Sequence, residues 1–105
     1  MQIQINTDSN IEGREKLADH VKGVVEGAMS RFRERITRVE VHLSDENGHK
    51  SGQDDKRCMM EVRIEGRQPT AVTHQAANLD QAINGAADKL QRSIESTLGR
   101  LHDHR

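Results

Sequence analysis

The sequence predicts an α+β fold, a two-layer sandwich with the element order β-α-β-β-β-α. Two patterns support this prediction. Several stretches alternate polar and apolar residues, which is the period of a half-buried strand, and two longer stretches repeat apolar residues every three or four positions, as an amphipathic helix does. With 105 residues the chain has room for one modest hydrophobic core, so we expect residues 1–105 to form a single domain.

The first part of the chain predicts one strand and one helix. The strand covers residues 2–6, where QIQIN directs Ile3 and Ile5 inward. A helix of about five turns then begins near residue 14. Its apolar stripe consists of Leu17, Val21, Val24, Ala28 and Phe32. Gly23 and Gly27 each cost about 1 kcal/mol relative to alanine in a helix interior, so this helix depends on packing.

Three further strands are predicted in the middle of the chain. Residues 39–43 alternate Val, Val and Leu with polar residues, and residues 58–64 show the clearest alternation of all. The turn at 66–69 leads into a short fourth strand at 70–75.

A second helix closes the chain. Asn78 is its predicted N-cap, with Gln81 three residues later as in a capping box. Its apolar stripe consists of Leu79, Ile83, Ala86, Leu90, Ile94, Thr97 and Leu101.

These elements define one topology. A right-handed crossover places the first strand parallel to and beside the second, and the later strands follow as an antiparallel meander. The result is a four-stranded mixed sheet. Both helices must cover the same face, because the other face carries polar side chains, namely Gln2, Gln4, Glu40, His42, Glu61 and Arg63.

The most polar stretch, DENGHKSGQDD at 45–55, raises the question of a metal site. An EF-hand loop that starts at Asp45 requires Asp or Asn at its fifth position, Gly at its sixth and Glu at its twelfth. This chain has His49, Lys50 and Lys56 at those positions. A zinc site requires converging ligands, whereas strand alternation puts His42 and Cys58 on opposite faces. We therefore interpret the stretch as a hairpin tip and Cys58 as a small buried hydrophobe, with no metal and no cofactor.

Composition excludes several classes of protein. Sixteen Lys and Arg residues against 17 Asp and Glu give a net charge of −1, so any binding to nucleic acid requires cations segregated on one face. One cysteine fits a reducing compartment, and no segment approaches the roughly 20 apolar residues that span a bilayer. The histidines and serines lie outside known catalytic spacings, and each histidine is expected to be exposed. We expect a cytoplasmic, non-enzymatic protein.

The predicted helices carry stripes of basic and small residues. In the second helix the stripe, with no acid between its members, consists of Gly85, Lys89, Arg92, Ser96 and Arg100. In the first helix a similar stripe consists of Lys16, His20, Gly23, Gly27 and Arg31. Mixed-charge solvated faces are the alternative for either helix alone, but two such stripes favour an anionic partner. Because Phe32 is the only aromatic residue and belongs to the core stripe, phosphate contacts to structured RNA fit better than base stacking.

The sequence resembles the ribosome hibernation promoting factor and ribosome-associated inhibitor A family, also known as sigma-54 modulation or ribosomal subunit interface proteins. The likeness includes the opening MQIQIN, the strand VEVHL and above all AINGAADKLQRSI at 82–94. The last stretch matches the family's A-I-x-x-x-x-x-K-L-x-R-x-L pattern, with Lys89 and Arg92 on basic positions and Arg100 on a third. The element order also resembles a double-stranded-RNA-binding domain with one added leading strand.

This resemblance implies a short-type family member that binds the small ribosomal subunit through its rRNA and silences idle ribosomes in stress or stationary phase. The implied rRNA contacts are Lys89, Arg92, Arg100, Lys16 and Arg31, and the implied protein is a monomer when free, with neither DNA nor membrane as a partner. The chain departs from the family in two respects. The segment Asn78-Leu79-Asp80 has Asp80 where the family usually has a tyrosine, and four family lysines align with Val24, Gly27, Ser96 and Leu98. These departures support a second hypothesis, a protein-interaction module with the same fold and weakened RNA binding.

Overall fold

The computed structural model describes residues 1–8, 11, 13–45 and 55–103, with side chains described as far as residue 98. The strands are β1 (Gln2–Thr7), β2 (Ile36–Asp45), β3 (Lys56–Ile64) and β4 (Thr70–Ala76), and the helices are α1 (Arg14–Met29) and α2 (Leu79–Asp103). A 3-10 helix, Ser30–Phe32, follows α1 directly. The predicted order β-α-β-β-β-α is confirmed.

The four strands form one mixed sheet in the spatial order β1-β2-β3-β4. β1 runs parallel to β2, with Ile3 opposite Val39, and the other neighbouring pairs are antiparallel. Val41 of β2 lies opposite Met60 of β3, which lies opposite Val72 of β4. This row of apolar side chains crosses the sheet on the face that the helices cover, as the alternation predicted.

The hydrophobic core lies between the sheet and both helices. α1 contributes Val21, Val25 and Met29, all buried, while the predicted stripe residues Leu17, Val24, Ala28 and Phe32 are half-buried beside them. The predicted stripe was therefore rotated toward one side of the true contact line. Val25 and Met29 each lie one position after the predicted Val24 and Ala28, and one position along a helix turns the side chain by about 100°.

α1 is shorter than the sequence predicted. Its α-helical hydrogen bonding ends at Met29, and the predicted fifth turn is the 3-10 helix that reaches Phe32. The Ser30 hydroxyl donates a hydrogen bond to the Gly27 carbonyl (3.1 Å), and the Arg35 amide donates to the Phe32 carbonyl (2.9 Å). α-Helices often end in a 3-10 turn of this kind, because the last carbonyl groups of an α-helix lack α-helical hydrogen-bond partners.

α2 begins directly after Asn78, the residue predicted as its N-cap. The Asn78 side-chain oxygen accepts a hydrogen bond from the Gln81 amide (2.8 Å), and the helix starts at the following residue, Leu79. Ile83, Leu90 and Ile94 of the predicted stripe are fully buried. None of the described helices is long and apolar enough to cross a membrane.

The strand ends of β2 and β3 carry a buried ion cluster. The Lys56 ammonium lies 3.2 Å from Asp45 Oδ1 and 3.1 Å from Asp55 Oδ1, and both carboxylates are buried. Asp8, just after β1, accepts a hydrogen bond from the Asp45 amide (3.0 Å). The predicted hairpin tip between these strands, including His49 and Asp54, lies outside the described residues.

Candidate nucleic-acid interface

α2 carries two of the predicted cations on exposed positions. Lys89 lies on the side of the helix next to β4, and its ammonium donates a hydrogen bond to the Thr73 carbonyl (2.9 Å). Arg92 lies one turn further along with 77% of its side chain exposed, and its guanidinium is 3.0 Å from the Asp88 carboxylate. Arg100 lies on the same helix, but its side chain is outside the described residues, so its role stays a prediction.

The two predicted cations of the first helix lie far apart. Lys16 is exposed in the first turn of α1, and Arg31 lies beyond the last turn, in the 3-10 helix. The helix rise separates these positions by roughly 20 Å. Arg31 is 71% exposed, lies 3.6 Å from Glu95 of α2 and stacks its guanidinium 5.7 Å from the Phe32 ring centroid. The fold thus brings Arg31, and not Lys16, toward the middle of α2.

The prediction that both basic stripes are free of acids is wrong. Asp80 lies 2.7 Å from His20, Asp88 pairs with Arg92, and Glu95 pairs with Arg31. Asp88 and Arg92 form an i,i+4 pair within α2, which helical spacing alone could have revealed. The other two pairs result from the way the helices dock. Asp80 and Glu95 belong to the flank of α2 that faces α1, so docking brings those acids onto the basic stripe of the other helix. Helical spacing within one segment cannot reveal a partner on another segment.

The small residues of the two stripes differ in their surroundings. At Gly23 and Gly27 the surface is open, and an added methyl group would contact nothing. At Gly85 an added methyl group would overlap the imidazole ring of His74 on β4. Gly85 therefore serves close packing between α2 and the sheet and is not an open position of the basic stripe.

The expectation that each histidine is exposed is wrong for two of the described ones. His74 is half-buried beneath Gly85, and His42 is half-buried on the outer face of the sheet opposite Met59. His20 is exposed, yet its ring nitrogen bonds Asp80. In the described part of the chain, no three His, Cys, Asp or Glu side chains converge as metal ligands do.

Two groups near the start of β3 have perturbed pKa values. Burial raises the pKa of the Cys58 thiol to about 12, which agrees with its predicted place in the core. The hydrogen bond to Asp55, together with the one to Asp45, raises the pKa of the Lys56 ammonium despite its partial desolvation. Lys56 thus acts as the internal counter-ion of two buried acids, Asp45 and Asp55, which the sequence places at the two ends of the predicted hairpin tip.

The site and fold together define a class: a small two-layer α+β domain whose helical face exposes lysine and arginine. The sequence profile of the family described as "Sigma 54 modulation protein / S30EA ribosomal protein" matches residues 3–102. The chain belongs to this family, as the resemblance predicted. The family's description names a modulating ribosomal protein and no catalytic activity.

Solved structures share the fold. The N-terminal domain of Protein Y from Thermus thermophilus superposes with a TM-score of 0.73 at 23% identity, covering 92% of this chain and 99% of that one. A ribosomal subunit interface protein from Coxiella burnetii superposes with a TM-score of 0.68 at 12% identity, covering 94% of this chain and 99% of that one. No curated protein sequence matches the chain.

Proposed function

We propose that this protein is a non-enzymatic, cytoplasmic translation regulator that binds the small ribosomal subunit through its rRNA. In this proposal it silences idle ribosomes in stress or stationary phase, acts as a single domain and is monomeric when free. Membership in a family of ribosomal modulation proteins is the observation that carries the proposal. The subunit-interface protein of the same fold supports the ribosome as partner.

Lys89 and Arg92 are the central contacts of the proposed interface. Both are exposed on α2, and the hydrogen bond from Lys89 to the Thr73 carbonyl holds the ammonium against the edge of β4. Arg31 extends the surface across α2, and Arg100 continues it along the helix. Lys16, at the far end of α1, is a peripheral contact in this proposal.

The acids near these arginines reduce their attraction for RNA without abolishing it. An exposed ion pair contributes about 0–1 kcal/mol, so the exchange of a carboxylate for a phosphate costs little. Arg92 and Arg31 are both more than two-thirds exposed, so a phosphate can approach either guanidinium from solvent. The N–H groups of arginine bind phosphate oxygens in a bidentate manner, which favours this exchange.

Co-sedimentation with small ribosomal subunits at low and then moderate salt tests the proposal. Lys89→Glu/Arg92→Glu is expected to abolish association while the domain stays folded, because both side chains are exposed. The matched control is Arg14→Glu/Arg57→Glu, which makes the same charge change outside the proposed interface, in the first turn of α1 and on β3. Failure of the unchanged protein to associate at low salt, or equal losses in both variants, would reject the proposal.

The alternative is a protein-interaction module with weakened RNA binding, acting on another ribosomal or transcriptional partner. The pairing of Asp80, Asp88 and Glu95 with the cations of the helices favours it, because it leaves fewer free positive charges. A pull-down that retains a single protein partner after nuclease treatment would support the alternative. Loss of the captured material on nuclease treatment would exclude it.

A further inference from the structure

Three arginines outside the predicted interface lie at one end of the sandwich. Arg33 and Arg35 lie in the connection between α1 and β2, and Arg67 lies in the turn between β3 and β4. All three are exposed. Both helices run toward this end, because α1 and α2 each start at the other end of the sheet, after β1 and β4.

Backbone hydrogen bonds hold the two segments together. The Glu65 amide donates to the Arg35 carbonyl (3.0 Å), and the Arg67 amide donates to the Ile64 carbonyl (3.0 Å), closing the turn. Gly66 occupies the third position of this turn with a φ of 78°, a conformation that side chains other than glycine's rarely adopt. Arg35 and Arg67 consequently line one open cleft of about 740 Å³, although they are 32 positions apart in the sequence.

The charge at this end is biased toward positive. Residues 31–38 contain four arginines and one glutamate, and the turn adds Arg67 and Glu65. Within the described residues, no carboxylate lies within 4 Å of the guanidinium of Arg33, Arg35 or Arg67, in contrast to Arg31 and Arg92. The carbonyl ends of the helices favour cations nearby, so the fold tolerates this cluster without acidic partners.

The cleft adjoins the proposed interface on α2. Thr97 lines the cleft together with Arg35 and Arg67, and it lies eight residues beyond Lys89 on the same helix. The helix rise makes this separation about 12 Å along the axis. One continuous surface therefore leads from the α2 cations to the arginine end. Apart from Ile64 and Gly66, the residues around the cleft are polar or charged, which suits a hydrated phosphate backbone better than an apolar ligand.

We propose that Arg35 and Arg67, assisted by Arg33, bind phosphates of the same RNA backbone that crosses α2. This inference rests on the proposed function and deepens it by extending the RNA surface around the end of the molecule. The arginines contact phosphates and not bases, since Phe32, which is half-buried, is the only aromatic side chain among the described residues there. Their contribution is electrostatic and falls with salt.

The salt dependence of binding to purified small ribosomal subunits tests this inference. For Arg35→Gln/Arg67→Gln, the slope of log affinity against log salt is expected to become shallower by about 1.4–1.8, because each lost phosphate contact removes about 0.7–0.9. Arg35→Lys/Arg67→Lys is expected to keep the slope of the unchanged protein. The matched control, Arg14→Gln/Arg57→Gln, removes two cations at the opposite end and is expected to leave the slope unchanged. Circular dichroism verifies the fold of each variant.

The outcomes separate this inference from the proposed function. Binding by the unchanged protein, with equal slopes for the Arg35/Arg67 variant and its control, overturns the arginine site and leaves the proposed function standing. A loss of affinity with an unchanged slope assigns the cluster to a ribosomal protein and also overturns the inference. Absence of binding by the unchanged protein even at low salt overturns both.

Discussion

Lys56 at one end of the sandwich and Arg35 and Arg67 at the other end lie in opposite environments. At the end where β2 finishes and β3 begins, Lys56 is 22% exposed and lies within hydrogen-bonding distance of two buried carboxylates, Asp45 and Asp55. At the other end, Arg35 and Arg67 are exposed, and no carboxylate of the described residues lies within 4 Å of them. The charge of Lys56 is thus neutralised internally, whereas Arg35 and Arg67 present their charge to solvent.

In the proposed function, this difference allows a chain with a net charge of −1 to bind a polyanion. Net charge is an average over the molecule, while binding depends on the local potential of one surface. The helices lie between the two extremes, because Arg31 and Arg92 are exposed but paired with Glu95 and Asp88. Cations that hold the fold and cations available to a partner are thus distinguished by burial and pairing, and not by residue type.

The largest expected effect comes from the buried cluster. Lys56→Met leaves Asp45 and Asp55 buried without their shared cation, and loss of one partner of a buried ion pair is strongly destabilising. We expect the thermal unfolding midpoint to fall by roughly 15 °C, measured by circular dichroism at pH 7.

The matched control for that measurement is Arg67→Met. It removes one exposed cation without a carboxylate partner among the described residues, and its midpoint is expected to stay within about 2 °C of the unchanged protein. Equal shifts in the two variants would contradict the distinction between the ends.

Alkaline pH is expected to weaken the Lys56 end in two steps. The Cys58 thiol has a pKa of about 12 when folded against 9.0 when unfolded, so its contribution is complete below pH 9.0 and falls as pH rises toward 12. The free energy of unfolding should fall by about 1.4 kcal/mol per pH unit in this window. The raised pKa of Lys56 adds a further loss above pH 10.5, where the unfolded ammonium deprotonates.

Urea titrations at pH 8, 9.5 and 10.5 measure this loss. Cys58→Ala should remove the decline between pH 9.0 and 10.5, since the buried thiol alone accounts for it. An equally steep decline in that variant would show that another group controls alkaline unfolding.

The smallest expected effect on stability comes from removing the carboxylates that pair with Arg31 and Arg92. Asp88→Asn/Glu95→Gln removes the carboxylate partners of Arg92 and Arg31, and such exposed pairs contribute only about 0–1 kcal/mol each. Binding to small ribosomal subunits should become tighter, because both guanidiniums then meet phosphate without a competing acid. Weaker binding would identify the acids themselves as contacts and favour a protein partner.

Local patterns in the sequence were sufficient to predict most of the fold. Alternation along 58–64 predicted β3 and the burial of Cys58, and Asn78 predicted the start of α2 within one residue. The same patterns placed Lys89 and Arg92 on the exposed face of α2. The stripe of α1 was less accurate because Val24 and Val25 are adjacent and equally apolar, so only docking shows which of them faces the core.

Contacts between distant segments could not be predicted in this way. The pairing of Arg31 with Glu95 depends on the docking of α1 against α2, and the overlap of Gly85 with His74 depends on the distance from α2 to the sheet. Likewise, Asp45 and Asp55 appeared to belong to the polar hairpin tip until the strand ends placed Lys56 between them.

Residue type and spacing, by themselves, determined the strands, the helices, the family and the exposed cations of α2, because periodicity and capping act over a few neighbouring residues. Tertiary structure alone decided which cations are neutralised by a distant segment, as Arg31 is by Glu95, and which are brought together across the molecule, as Arg35 and Arg67 are. The physical reason is that electrostatic interactions depend on distance in space and on burial, and both are set by the packing of segments that lie far apart along the chain.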